Sequence, residues 1–150
     1  MIACCNNYSP STAYLQSEVK EKTMNPQKTI LVVEDEKSLR GALVDVLRLK
    51  DFNPIEAKNG REGVEMAFAK HPDLILLDLI MPEMDGMTAL EAIRADEWGK
   101  TVPVIILTNL SASKDKRVDD MVTHTPIHYF IKSDRKLHDI VQQIEKILEP

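Results

Sequence analysis

Asp73-Leu-Ile-Leu-Leu-Asp78-Leu-Ile-Met-Pro82-Glu-Met-Asp-Gly86 is the stretch that decides how this chain folds. Leu74 to Leu77 is apolar without a break, as a strand must be when helices cover both of its faces. Asp78 closes the run, and Pro82 and then Asp85-Gly86 turn the chain at once. A carboxylate at the carboxyl end of a buried strand lies where open α/β sheets place their chemistry.

Outward from this stretch the pattern alternates regularly. Residues 28–34 (Lys-Thr-Ile-Leu-Val-Val-Glu) read as an apolar, β-branched strand, followed by Leu39, Ala42, Leu43, Val46 and Leu47 at helical spacing. Residues 53–57 read as a short strand whose Pro54 favours a sheet edge. Asn59-Gly-Arg-Glu62 resembles a capping box opening a second helix, with Val64, Ala67 and Phe68 on one face and His71-Pro72 as its stop. Residues 73–78 are the strand already quoted. Ala89, Leu90 and Ile93 mark a third helix, expected to end near Gly99. Residues 102–108 (Val-Pro-Val-Ile-Ile-Leu-Thr) give a fourth strand, 114–122 a short polar helix, and 127–131 (Ile-His-Tyr-Phe-Ile) a fifth strand. Leu137, Ile140, Val141, Ile144, Ile147 and Leu148 form the cleanest amphipathic stripe in the chain. Five strand–helix units in series predict an α/β fold, a doubly wound five-stranded parallel sheet with right-handed crossovers.

The remaining composition bounds the function. At 150 residues the chain has the length of one domain. A net charge of −5 argues against a nucleic-acid coat or a binder of anionic membranes. Cys4 and Cys5 are adjacent and make no disulfide framework, no apolar run approaches a membrane span, and no signal-peptide pattern opens the chain. A cytoplasmic location is expected. Residues 1–27 read as a tail set apart from the domain at 28–150, either disordered or loosely docked, or upstream of a native start at Met24.

In a parallel sheet the carboxyl ends of all strands share one edge. Here those ends carry Glu34-Asp35-Glu36, Asp78, Thr108 and Lys132. Taken singly each has a plain structural reading: acids favour helix starts, and threonine and lysine are common at strand ends. Together they suit one chemistry. Clustered carboxylates call for a hard divalent cation with oxygen ligands, which suits Mg²⁺. An aspartate beside that metal can attack phosphorus, and a lysine and a hydroxyl can hold the phosphoryl oxygens.

Four segments carry a family likeness: Ile30-Leu-Val-Val-Glu34-Asp35-Glu36, Leu74-Ile-Leu-Leu-Asp78-Leu-Ile-Met-Pro82-Glu-Met-Asp-Gly86, Val104-Ile-Ile-Leu-Thr108 and Tyr129-Phe-Ile-Lys132. In order and spacing they resemble the response-regulator receiver domain over about residues 28–149. The resemblance implies a flavodoxin-like fold with strand order 2-1-3-4-5. It also implies that Asp78 is a phosphoacceptor for a sensor histidine kinase or phosphotransfer protein. Asp35, Asp78 and the backbone carbonyl of Ile80 would ligate Mg²⁺, with Glu34 acting through water. Thr108, the backbone of Asn109, and Lys132 would contact the phosphoryl group, and Tyr129 matches the aromatic whose rotamer reports phosphorylation. The expected protein is a stand-alone signalling receiver, not an enzyme, acting on an unknown downstream protein by contact. No direct DNA binding and no membrane binding are expected, and a phosphorylation-dependent dimer is one form the output could take.

The chain departs from the family pattern at several positions. Ser133 stands where proline is usual, so the Lys132–Ser133 bond is expected to be trans, and Ser133 is expected to cap the last helix. Asn109 replaces a small residue and is expected to narrow the approach to Asp78. Ile80 and Leu110, both apolar, cannot position an attacking water, so a long-lived phosphoryl state is expected. Thr123-His124-Thr125-Pro126 lacks the usual small residues before the fifth strand, which puts the family's usual signalling face in doubt. His71, His124, His128 and His138 lack metal-ligand spacing. Two other classes remain. A phosphorylation-independent adaptor would keep the fold and use only its surface. An aspartate-nucleophile phosphohydrolase would need a second acid two residues after Asp78, where Ile80 stands.

Overall fold

A computed structural model describes residues 26–109, 127–132 and 136–150. Its elements are β1 (Thr29–Val33), α1 (Lys37–Leu49), β2 (Asn53–Ala57), α2 (Gly60–Lys70), β3 (Leu74–Asp78), α3 (Gly86–Arg94), β4 (Val104–Thr108), β5 (Ile127–Ile131) and α4 (Leu137–Leu148). The five strands form one parallel sheet in the order β2-β1-β3-β4-β5, the flavodoxin-like arrangement. The helix read over 114–122, Leu110, the Thr123–Pro126 approach and the Lys132–Ser133 bond lie outside the described residues, as do residues 1–25.

Strand alternation splits the core in two. Ile30, Val32, Leu74, Leu76, Ile105 and Leu107 point to one side, where Leu43, Val44 and Leu47 of α1 and Ile140, Val141 and Ile144 of α4 cover them. Leu31, Val33, Ile75, Leu77, Val104 and Ile106 point to the other, under Ala67 of α2 and Met87, Leu90 and Ile93 of α3. This is why β3 and β4 are apolar throughout: every residue of both is buried. Pro54 lies on β2, an edge strand, where a missing N–H leaves no gap in the sheet interior.

The ends of α2 fall where the sequence reading puts them, while those of α3 and α4 differ, each for a local reason. The α2 N-cap is Asn59, whose side chain accepts the Glu62 N–H at 2.8 Å, but Glu62 reaches one residue past the cap to the Lys58 N–H at 3.0 Å. His71 ends α2 in the left-handed region at φ 44°, and Pro72 then forbids continuation. Helix α3 ends at Arg94 instead of near Gly99, because the chain folds back and seats Gly99 on the main chain of Ile93. Arg94, buried, donates to the carbonyls of Gly99 and Val102 and so fastens that return. Helix α4 begins at Leu137 with Lys136 as its N-cap, not Ser133; Asp139 takes the Lys136 N–H at 3.1 Å.

At the amino-terminal edge of the sheet Asp73 accepts the Thr29 N–H at 2.8 Å and pairs with Lys28 at 3.2 Å. That pins β1 beside β3 in the register Ile30↔Leu74, which carries Glu34 and Asp78 to the same end of the sheet.

Candidate functional site

The opposite, carboxyl edge holds a cleft of about 360 Å³ lined by Glu34, Asp35, Glu36, Asp78, Ile80, Asn109 and Lys132. β1 delivers Glu34 and Asp35, β3 delivers Asp78, and β5 delivers Lys132. Alternation accounts for the meeting of three of these. Glu34 continues the Ile30–Val32 face and Asp78 the Leu74–Leu76 face, while Lys132 follows Phe130, all on the α1/α4 side.

The Lys132 ammonium joins the acids. Its Nζ donates to Glu34 Oε2 at 2.6 Å and to Asp78 Oδ2 at 2.9 Å. The second oxygen of Asp78 accepts the Ile80 N–H at 3.1 Å, and the second oxygen of Glu34 accepts the Glu36 N–H at 3.3 Å. Burial of Glu34, 2% exposed, disfavours its charge; the Lys132 hydrogen bond opposes this and the Asp78 charge reinforces it, leaving the carboxyl at about 7. Burial also disfavours the Lys132 ammonium, but its bonds to Glu34 and Asp78 outweigh that and raise it above the ordinary lysine value. Asp35 is exposed, at the mouth.

Ligand oxygens of Glu34, Asp35 and Asp78 can all lie within 4.8 Å of one another. Lys132 bonds two of these three carboxylates, all the ligand atoms are oxygen, and the site opens to solvent. That set fits a hard divalent cation such as Mg²⁺.

The turn after Asp78 holds it in place. Leu79 and Met81 are buried in the α2/α3 core while Ile80, 51% exposed, faces out. Glu83 sits at φ 70° in a tight reversal closed by Met84 N–H to Pro82 O at 2.9 Å. Asp85 caps α3 through Thr88 N–H at 2.8 Å, and Gly86 N–H returns to Leu79 O at 2.9 Å. Gly86 packs so closely that a Cβ there would lie 2.1 Å from the Asp78 carbonyl oxygen.

The structure brings six of the eight expected site residues to the cleft: Glu34, Asp35, Asp78, Ile80, Asn109 and Lys132. Thr108 is fully buried at the end of β4, in the alternation of Val104 and Ile106, and precedes Asn109. Tyr129 packs against the α2/α3 core, paired in register with Ile106. Burial raises its phenol, whose oxygen has no hydrogen-bond partner among the described residues.

Sequence reasoning missed Arg40. Its Nη1 donates to the main-chain carbonyls of Glu34 at 2.8 Å and Asp35 at 3.3 Å, and its Nε to Glu56 of β2 at 3.2 Å. One signal was present: Arg40 stands three, four and seven residues before Leu43, Val44 and Leu47, on the buried stripe of α1.

The family model described as the response regulator receiver domain matches residues 30–145. Protein-glutamate methylesterase/protein-glutamine glutaminase of Archaeoglobus fulgidus is 33% identical over 120 residues, 79% of this chain; the chain spans only 34% of that relative's length. Polar-differentiation response regulator DivK of Brucella ovis is 29% identical over 89 residues, 59% of this chain and 72% of that protein. Among solved structures, response regulator protein TrrA of Thermotoga maritima, in complex with Mg²⁺-BeF, aligns with a TM-score of 0.69 at 29% identity, covering 81% of this chain and 100% of that one. Among the described residues no helix is long and apolar enough to cross a membrane.

Proposed function

We propose, from the premise that this chain belongs to the response-regulator receiver family, that it takes a phosphoryl group onto Asp78 from a sensor histidine kinase or a phosphotransfer protein. Receiver domains are signalling modules of two-component systems, and that coarse function holds for the family. The observation that supports the finer reading is the Asp78 carboxylate itself, fixed by Lys132 Nζ at 2.9 Å and the Ile80 N–H at 3.1 Å in an open acidic cleft.

Asp35, Asp78 and the Ile80 carbonyl would hold Mg²⁺, with Glu34 acting through water. When bound, the ion neutralises the acids and the phosphoryl oxygens. A carboxylate oxygen of Asp78 forms the bond to phosphorus as the P–N bond to the donor imidazole breaks, the electron pair staying on nitrogen. Lys132 exchanges its hydrogen bond to Asp78 for one to a phosphoryl oxygen. The Thr108 hydroxyl and the Asn109 N–H donate to the others. The product carries roughly −1.5 to −2 charge at pH 7, and these donors reorganise around it. Tyr129, whose phenol gives up no described hydrogen bond when it turns, reports the change to a contact surface. The output is contact with a downstream protein, directly or as a phosphorylated dimer, with no DNA contact by this domain and with residues 1–27 as a dispensable tail.

Labelling with the cognate kinase and Mg²⁺ tests the assignment. Asp78→Asn is expected to abolish it, and persistent labelling at another residue would overturn the assignment.

A further inference from the structure

The two acids at the end of β1 are held very unequally. Glu34 is fixed at four points: its N–H on Ala57 O at 3.1 Å, its carboxylate on Glu36 N–H and Lys132, and its carbonyl on Arg40. Asp35 has no such support. Among the described residues no hydrogen bond holds its carboxylate, and its one restraint is the Arg40 contact to its carbonyl at 3.3 Å.

We infer that Arg40 is the positioning residue of this acid pair, setting through the main-chain carbonyls of Glu34 and Asp35 how tightly the cleft holds a divalent cation. The inference rests on the metal reading above. The plain alternative is a surface ion pair with Glu56, which contributes little. Against it, the Arg40 side chain is only 14% exposed, and its Nη1 goes to two carbonyls instead of a carboxylate. The planar fork sits at the start of α1, with Arg40 N–H on Glu36 O at 2.9 Å, so one rigid group spans the helix, the loop and β2. Orienting both peptide planes orients the side chains that spring from them. Groups that support metal ligands in this way typically carry about 10–100-fold in metal affinity.

Calorimetric titration with Mg²⁺ alone, without phosphodonor, separates the readings. Arg40→Ala is expected to raise the Mg²⁺ Kd about tenfold or more. Arg40→Lys, which keeps the charge but loses the fork, is expected to weaken binding several-fold while remaining folded by circular dichroism. Glu56→Gln breaks only the ion pair and is expected to stay within about twofold of wild type. Should Arg40→Ala not fold, the lysine variant decides. A folded arginine variant with wild-type Kd overturns the clamp, as does Glu56→Gln weakening binding equally. Wild-type protein that takes up no Mg²⁺ would instead overturn the metal reading beneath it.

Discussion

Alanine in place of Gly86 should cost the fold about 2 kcal/mol or more, while the same change at Gly41 should stabilise it. A Cβ on Gly86 would lie 2.1 Å from the Asp78 carbonyl oxygen, 2.8 Å from Leu79 Cα and 2.9 Å from the Asp78 carbonyl carbon. All three obstacles are main chain, so no side chain can rotate away, and relief requires the start of α3 to move off the end of β3. Overpacking of this kind costs roughly 1–3 kcal/mol and sometimes more. Alanine's better helix propensity returns at most about 1 kcal/mol. The clash is with backbone and far inside contact distance, so the upper end of the first range applies and the net is about 2 kcal/mol. At Gly41, within α1, a Cβ would meet nothing within 4 Å, so only the propensity gain of about 0.5–1 kcal/mol remains. Urea unfolding with a common slope measures both. Because the obstruction is the Asp78 carbonyl, Gly86→Ala should also slow phosphoryl labelling, which Gly41→Ala should not. Gly86→Ala unfolding within 0.5 kcal/mol of wild type, about a third of a tenfold change, would refute the reasoning.

Glu34 gives the metal-free protein a defined pH response. Its carboxyl is raised from 4.5 to about 7, so the folded state holds the proton more tightly than the unfolded chain. Its contribution is therefore full below about 4.5 and lost as pH rises through about 7. Thermal melts in chelator should show that decline, flattened in Glu34→Gln, and Mg²⁺ should stabilise more at pH 8 than at pH 5; a slope unchanged by the glutamine removes the assignment. Asn109, exposed on the cleft lining, should impede small phosphodonors, so Asn109→Ala is expected to label faster with acetyl phosphate, and equal rates would dismiss the obstruction. Polar residues at Ile80 and Leu110 should shorten the phosphoryl half-life by giving water a partner, and an unaltered half-life would rule that out.

Much of this was legible because it rests on periodicity. The unbroken apolar runs of β3 and β4 announce burial on both faces, and Pro54 announces an edge, whatever the neighbours are. The acids and lysine were legible because a parallel sheet sends every strand's carboxyl end to one rim. What escaped depends on long-range or main-chain geometry. Arg40 acts on carbonyls, which leave no trace in residue identity. The α4 cap went to Lys136 because Asp139 can reach back to its N–H, a choice made by loop path. Gly99 marked a close approach to Ile93, not a helix end. The tilted contact of His71 with Trp98, ring centroids 4.6 Å apart, joins two loops that are distant in sequence.

The Lys132 ammonium reaches an acid 98 positions earlier and another 54 positions earlier. Those are long ring closures, and they are made from the end of β5, an edge strand whose sheet neighbour among the described residues is β4. Fraying of that strand would withdraw the cation and leave the buried carboxylates of Glu34 and Asp78 facing each other without it. The cleft therefore latches one margin of the sheet. A ligand that binds only the latched form at a hundred times its Kd would add roughly 2.7 kcal/mol to the whole domain, so occupancy of this one rim would be felt as resistance to unzipping along the far strand.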